Sequence, residues 1–140
     1  MKNVTLNIII ILLIFLALMF VISTKLNEDN KRSAQSISFN SFFEQYEDEP
    51  INGSDVRTII NKASDLNAQN ENVDISIDII FIMIDDSGHI IEKKSNMEAL
   101  KKAGLDKFTS SFSKTEFKIN GMDYDSKGRI NNITIKQTQI

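Results

Sequence analysis

The 140 residues contain no cysteine, one histidine, one proline and five glycines. Without a thiol the chain has no Cys–His nucleophile, and with His89 as its sole imidazole almost every zinc donor set is excluded. A domain without thiols has no redox preference and can stand on either side of a membrane. The scarcity of Pro and Gly argues against a low-complexity chain, and no self-similarity occurs at solenoid periods. There is no Walker loop, no G-x-G-x-x-G and no H-E-x-x-H, so no cofactor and no metal are expected. His89 stands near Asp85 and Asp86, as a triad base does near its carboxylate, but no serine has the context of a nucleophile elbow. A lone histidine next to a turn reads as structural or solvated, and the chain reads as non-enzymatic.

What the chain does have is an uninterrupted apolar run, residues 8–22, fifteen residues without a charge or a helix breaker. As a helix it spans roughly 22 Å at about 1.5 Å per residue. With residues 4–7 it reaches roughly 28 Å, close to the ~30 Å hydrocarbon thickness of a bilayer. Thr5 and Asn7 then fall near one interface. The run ends in Ser23-Thr24-Lys25-Leu26-Asn27, with no small-x-small cleavage pattern, which favours a retained anchor over a cleaved signal peptide. Ile8, Ile11, Phe15, Met19 and Ile22 represent this anchor, and a lipid bilayer is its expected partner. Lys2 precedes the run and Lys25, Lys31 and Arg32 follow it, so the positive-inside count does not choose an orientation. The short leader and the large C-terminal part favour a single-pass membrane protein with its C-terminal domain outside the cytoplasm. Residues 1–24 are read as the transmembrane anchor, 25–37 as a tether or helix continuation, and 38–140 as one domain.

Charge is distributed unevenly. Residues 1–39 carry +2, residues 40–92 carry −10 and residues 93–140 carry +5. The two halves of the domain either neutralise each other within one fold or let copies dock head to tail. Of the three N-x-S/T sequons, at Asn3, Asn52 and Asn132, chance accounts for most in so Asn-rich a chain.

Along the domain, Phe39, Phe42, Phe43 and Tyr46 follow i, i+3, i+4, i+7 behind a potential cap, Ser38, and Pro50 ends that helix. Ser54 is expected to cap a second helix with Val56, Ile59, Ile60 and Ala63 on one face. Residues 73–84 alternate as a strand, and from Ile80 the second face is apolar too. That half is expected to be covered on both faces, from within the fold or by a partner. Residues 85–88 turn into a hairpin partner at 89–92, Ser95 and Glu98 form a capping box, and Gly104 stops the short helix that follows. Asn120-Gly121 is the preferred dipeptide of a type I′ hairpin, joining 115–119 to 122–125, and 126–128 turns into a last strand at 130–137. The fold class is α+β: an N-terminal transmembrane helix, then helices packed on an antiparallel sheet made of a hairpin and a C-terminal meander.

The segment Asp123-Tyr124-Asp125-Ser126-Lys127-Gly128 opens like a calcium loop, but Lys127 stands at a ligand position and Thr134 where a glutamate belongs, so it reads as a hairpin turn. Lys93, Lys94, Lys101, Lys102 and Lys107 form a basic cluster without interleaved aromatics, which argues against nucleic acid and for a solvated face or an anionic contact. Ile80, Ile82 and Ile84, with Lys101 and Lys102, are the candidate interaction surface.

The layout of apolar helix, helical segments and terminal meander resembles that of type IV pilins and pseudopilins. The segment Val4-Thr5-Leu6-Asn7-Ile8 is similar to the pilin start F-T-L-I-E, departing from it with Asn3 in place of the processing-site Gly and with Ile8 in place of the Glu. Residues 39–46 and 53–60, with Tyr124-Asp125, Gly128-Arg129-Ile130 and Ile133-Thr134-Ile135, also resemble a family of small, uncharacterised, singly anchored proteins of low-GC bacteria. The first resemblance implies self-assembly through the anchor helix. The functional expectation is a membrane-anchored assembly or protein-interaction domain, as a homo-oligomer or with a membrane protein. The alternative is a tethered domain that binds a small ligand or envelope component in a pocket lined by Phe42, Phe43, Tyr46 or Phe81.

Overall fold

No proline or glycine occurs before Pro50, and the apolar run and Phe39, Phe42 and Phe43 accordingly belong to one helix, α1 (Lys2–Glu44), with Tyr46 in the turn that follows it. The computed structural model describes residues 2–139, with side chains described for 8–28 and 36–139. Lys2, Asn3, Thr5, Asn7, Lys31 and Arg32 lie outside the described side chains. Ser38 is therefore interior to α1 and caps nothing; its carbonyl accepts from the Ser41 hydroxyl at 3.0 Å. The chain divides into two compact units, residues 1–36 and residues 37–140. In the first, Thr24 at the end of the apolar run donates its hydroxyl to the Val21 carbonyl at 2.9 Å, satisfying itself within the helix.

The second unit holds α2 (Gly53–Gln69), β1 (Ser76–Ile84), β2 (Ile90–Asn96), α3 (Met97–Ala103), α4 (Leu105–Ser111), β3 (Phe117–Tyr124) and β4 (Ile130–Gln137). The cap of α2 is Asn52, two residues before the expected Ser54. Its Oδ1 accepts from the amides of Ser54 and Asp55, and Asp55 Oδ2 accepts from the Asn52 amide at 2.9 Å, closing a reciprocal box. The start moves because Ile51 is held in a bridge to Phe117, with amide–carbonyl bonds of 2.9 and 2.7 Å, so the chain can enter the helix only after it. Gly53 then passes so close to the Phe112 carbonyl that a Cβ would lie 2.7 Å from that oxygen. The cap of α3 is likewise Asn96, whose Oδ1 accepts from the Ala99 amide at 2.9 Å, while Ser95 remains in β2. Gly104 ends α3 at φ 100°, donating to the Leu100 and Lys101 carbonyls.

The sheet is mixed, in the order β2-β1-β4-β3, and this corrects the expected antiparallel meander. β1 and β2 form one antiparallel hairpin, β3 and β4 another, and the hairpins join through a parallel pairing of β1 with β4. That join sets Ile77 opposite Ile133 and Ile79 opposite Ile135, and all four are sealed from solvent. Burying each contributes about 1.5–3 kcal/mol relative to exposure, which a terminal meander would not have secured for the central strand. Asn120-Gly121 does not turn the chain. It lies within β3, at a register shift between Ile119 and Gly121, and Gly121 is not among the positive-φ glycines that a type I′ turn would require. The shift changes which face each residue presents, so Phe117 and Ile119 before it and Met122 after it all reach the core.

Helices cover one face of this sheet. Val56, Ile59, Ile60 and Ala63 of α2, Met97 and Leu100 of α3, Phe108 of α4 and Phe43 of α1 pack on Ile77, Ile79, Phe117, Ile133 and Ile135. Phe81, Phe108, Phe112 and Phe117 meet at ring-centroid distances of 5.0–6.2 Å. Asn67 of α2 brackets Ile75, accepting from its amide at 2.8 Å and donating to its carbonyl at 2.9 Å. The strand consequently begins at Ser76 and not at Val73 as expected.

Candidate interaction surface

Two turns carry the same local instruction. Asp85-Asp86-Ser87-Gly88-His89-Ile90 and Asp125-Ser126-Lys127-Gly128-Arg129-Ile130 both read Asp-x-x-Gly-x-Ile, 40 residues apart. In the first, Asp85 Oδ1 accepts from the amides of Ser87 and His89, Gly88 donates to the Asp85 carbonyl, and the Asp85 amide donates to the His89 carbonyl. The second repeats every one of these bonds among Asp125, Lys127, Gly128 and Arg129. Gly88 and Gly128 sit at φ 81° and 73°, where a side chain is strained. The calcium-like segment is thus a hairpin turn, its Asp125 carboxylate already filled by backbone and by the Arg129 guanidinium at 2.7 and 2.9 Å. Partial burial pushes the Asp125 carboxyl up, but hydrogen bonds from Arg129 and Lys127 outweigh it and hold the group below its ordinary value. Among the described residues no group of three or more acidic or histidine side chains could hold a metal ion.

The turns match, but their surroundings differ. On the β3–β4 hairpin, the α1 side chain Asn40 donates to the Gly128 carbonyl at 2.8 Å and accepts from the Ile130 amide at 2.9 Å. Ile130 is 2% exposed there. Tyr124 lies beside the end of α1, and burial first, then the charges of Glu44 and Glu47, push its hydroxyl pKa up. On the β1–β2 hairpin, the equivalent Ile90 is 67% exposed, Ile84 57%, and Met83 and Ile91 44% each.

Of the two covers expected for the second half of β1, the one from within the fold is absent among the described residues. β4 pairs with β1 only as far as Ile80, opposite Lys136, so the rest of the hairpin runs on past the sheet. Gln137 at the end of β4 accepts from the Ile82 amide with its Oε1 at 3.1 Å. Ile80 and Ile82 are half-buried, and Ile84 is exposed. In register, Ile80 lies between Lys94 and Lys136, and Ile82 lies opposite Glu92. Lys94 pairs with Asp78 at 2.8 Å and Lys136 with Glu92 at 2.6 Å, so their apolar stems are held along this outer face. Lys101 and Lys102 are exposed on α3, across the sheet from Ile80, Ile82 and Ile84, and Lys101 pairs with Glu98 at 3.1 Å. The five residues therefore do not form one surface: the isoleucines share the outer face with Ile90, while Met83 and its partner Ile91 are exposed on the opposite face of the same tip, and sequence reasoning left all three out. The signal that could have found them is the repeated Asp-x-x-Gly-x-Ile, which marks two copies of one hairpin.

His89 stands at the mouth of its own turn, Nδ1 3.5 Å from Asp85 Oδ2, and mostly in solvent. The aromatics offered for a ligand pocket are packed on one another: Phe42 meets Phe43 edge-on at 5.3 Å and Tyr46 at 5.8 Å, and Phe81 joins the phenylalanine cluster. Three surface cavities, of about 220, 190 and 400 Å3, are lined by other residues, among them Asn52, Asn67 and Glu47. Ile8, Ile11, Phe15, Met19 and Ile22, read from the sequence as an anchor, are all exposed, and the segment Ile8–Glu28 is long and apolar enough to cross a membrane. The chain matches no protein-family model, no curated protein and no solved structure.

Proposed function

We propose that this chain is a non-enzymatic, single-pass membrane protein whose α+β domain serves assembly or protein interaction, a pilin-like subunit being one form of it. The observation that carries this reading is the exposed apolar hairpin tip. Soluble domains seldom leave two paired strands apolar on both faces unless something covers them. The bare apolar helix Ile8–Glu28 supports the membrane part of the reading, since a bilayer is the solvent in which such a surface is at rest. The Asp85 carboxylate that would orient His89 is engaged in holding its own turn.

Chemical cross-linking of the tagged full-length protein in native membranes tests this. A ladder at multiples of its own mass makes it a homopolymeric subunit, and a discrete adduct makes it an accessory to the protein captured. A monomer alone under conditions that cross-link a known complex refutes the reading.

A further inference from the structure

We propose that the tip of the β1–β2 hairpin docks an amphipathic α-helix of a partner protein, one that carries an asparagine among apolar residues and basic residues toward its C-terminal end. The inference rests on the interaction reading above and names the partner's chemistry. The chain holds its own template for this contact, because the equivalent tip of the β3–β4 hairpin already has a helix seated on it.

Two features of that template recur on the bare tip, and a third is reversed. The first is the backbone pair that Asn40 reads, a glycine carbonyl and an isoleucine amide two residues on. Gly88 and Ile90 occupy those places in a turn with the same bonds. The Asp85 amide bonds to the His89 carbonyl, so the next pair, Ile84 with Ile90, is the non-hydrogen-bonded kind. The Ile90 amide then points away from β1, off the free edge of the sheet. The second feature is the apolar seat: Ile82, Ile84 and Ile90 stand where Met122, Tyr124 and Ile130 stand on the covered tip, of which Ile130 is buried, Met122 half-buried and Tyr124 47% exposed. The third is charge. The covered tip carries Lys127 and Arg129 and receives the acidic end of α1, with Glu44 and Glu47 beside Tyr124. At the bare tip Asp86 replaces Ser126, Ser87 replaces Lys127 and His89 replaces Arg129. The surface has become acidic, so the complementary helix is basic.

The same comparison removes other occupants. The α1 segment of a second copy is acidic, and its Asn40 is already engaged on its own hairpin. A lipid surface would have to take in Asp85 and Asp86 at the apex ahead of the isoleucines.

A fluorescent peptide made from residues 36–49 with E44K, E47K, D48K and E49K is the probe, titrated against the full-length protein in detergent micelles by anisotropy. Saturable binding is expected, weakened at least tenfold by N40A in the peptide, by restoring its acidic residues, or by Ile84→Asp or Ile90→Asp in the protein. Both substitutions lie at exposed positions, and circular dichroism confirms that the fold survives them. Absence of saturable binding, equal binding to empty micelles, or binding unchanged by Ile84→Asp and Ile90→Asp would each overturn the proposal. In native membranes, cross-linked adducts that persist undiminished in both variants also overturn this docking site, yet leave the interaction reading intact. Lack of any wild-type adduct defeats that reading itself.

Discussion

Asn40→Ala tests the contact on which the hairpin comparison turns. Asn40 is 6% exposed, and its amide makes two hydrogen bonds, 2.8 Å to the Gly128 carbonyl and 2.9 Å to the Ile130 amide. Removing it leaves the buried Ile130 N–H without a partner and returns the Gly128 carbonyl, on an exposed residue, to water. An unsatisfied buried group costs about 1–3 kcal/mol, and water admitted to the small space left by the side chain recovers part of that. The expected loss is about 1–3 kcal/mol. For a domain of this size that lowers Tm by about 5–15 °C. The assay is urea and thermal unfolding of the full chain in detergent, joined to hydrogen exchange of the β3–β4 hairpin. Exchange should quicken at Ile130 before the central strands are affected, because the lost bonds pin that tip to α1 and not β4 to β1. Asn120→Ala, at the exposed register shift in β3, is the control and should change stability by less than about 0.5 kcal/mol. If Asn40→Ala costs no more than that control, or leaves Ile130 protected, the two-point contact does not hold the helix to the hairpin and the template argument fails with it.

Gly53→Ala should destabilise by about 1–3 kcal/mol in chemical denaturation, since its Cβ would meet the Phe112 carbonyl oxygen at 2.7 Å and backbone must move to admit it. Asn96→Ala should cost about 1 kcal/mol through loss of the α3 cap, whereas Ser95→Ala should be nearly silent; the reverse order would restore the capping box read from the sequence. Asp125 governs an acid transition. Its folded-state pKa lies below the unfolded value of ~3.9, so its stabilisation is complete above that value and is lost as pH falls through the lower, folded one. Urea midpoints measured between pH 5 and pH 2.5 should fall less steeply in Asp125→Asn than in the wild type, and parallel curves would contradict the assignment.

Much of the architecture was legible because its causes are local. The stripes Val56-Ile59-Ile60-Ala63 and Ile77-Ile79-Phe81 declare a helix and a strand by period alone, and both bury those residues. Asp85-x-x-Gly88 and Asp125-x-x-Gly128 declare turns because an aspartate that accepts two amides, followed by a left-handed glycine, closes a hairpin without outside help. Where local signals competed, the sequence misled. Asn120-Gly121 is a good hairpin dipeptide, yet continuing β3 past it kept Met122 on the core, and tertiary burial outweighed turn preference. Ser54 and Ser95 are good caps, but the positions of Asn52 and Asn96 were decided by where Ile51 and β2 had to be held.

The candidate surface divides in the same way. That residues 80–84 are apolar on both faces is written in the sequence, as are the N-terminal apolar run and the helices of an α+β domain. That the tip is bare could not be, because it depends on β4 pairing beside β1 only as far as Ile80, and on α1 settling on the second hairpin and not the first. Periodicity determines which side of an element is apolar. Which apolar sides meet, and which is left over, is decided only when all the elements compete for the same neighbours, and here the parallel join of β1 with β4 settled that competition.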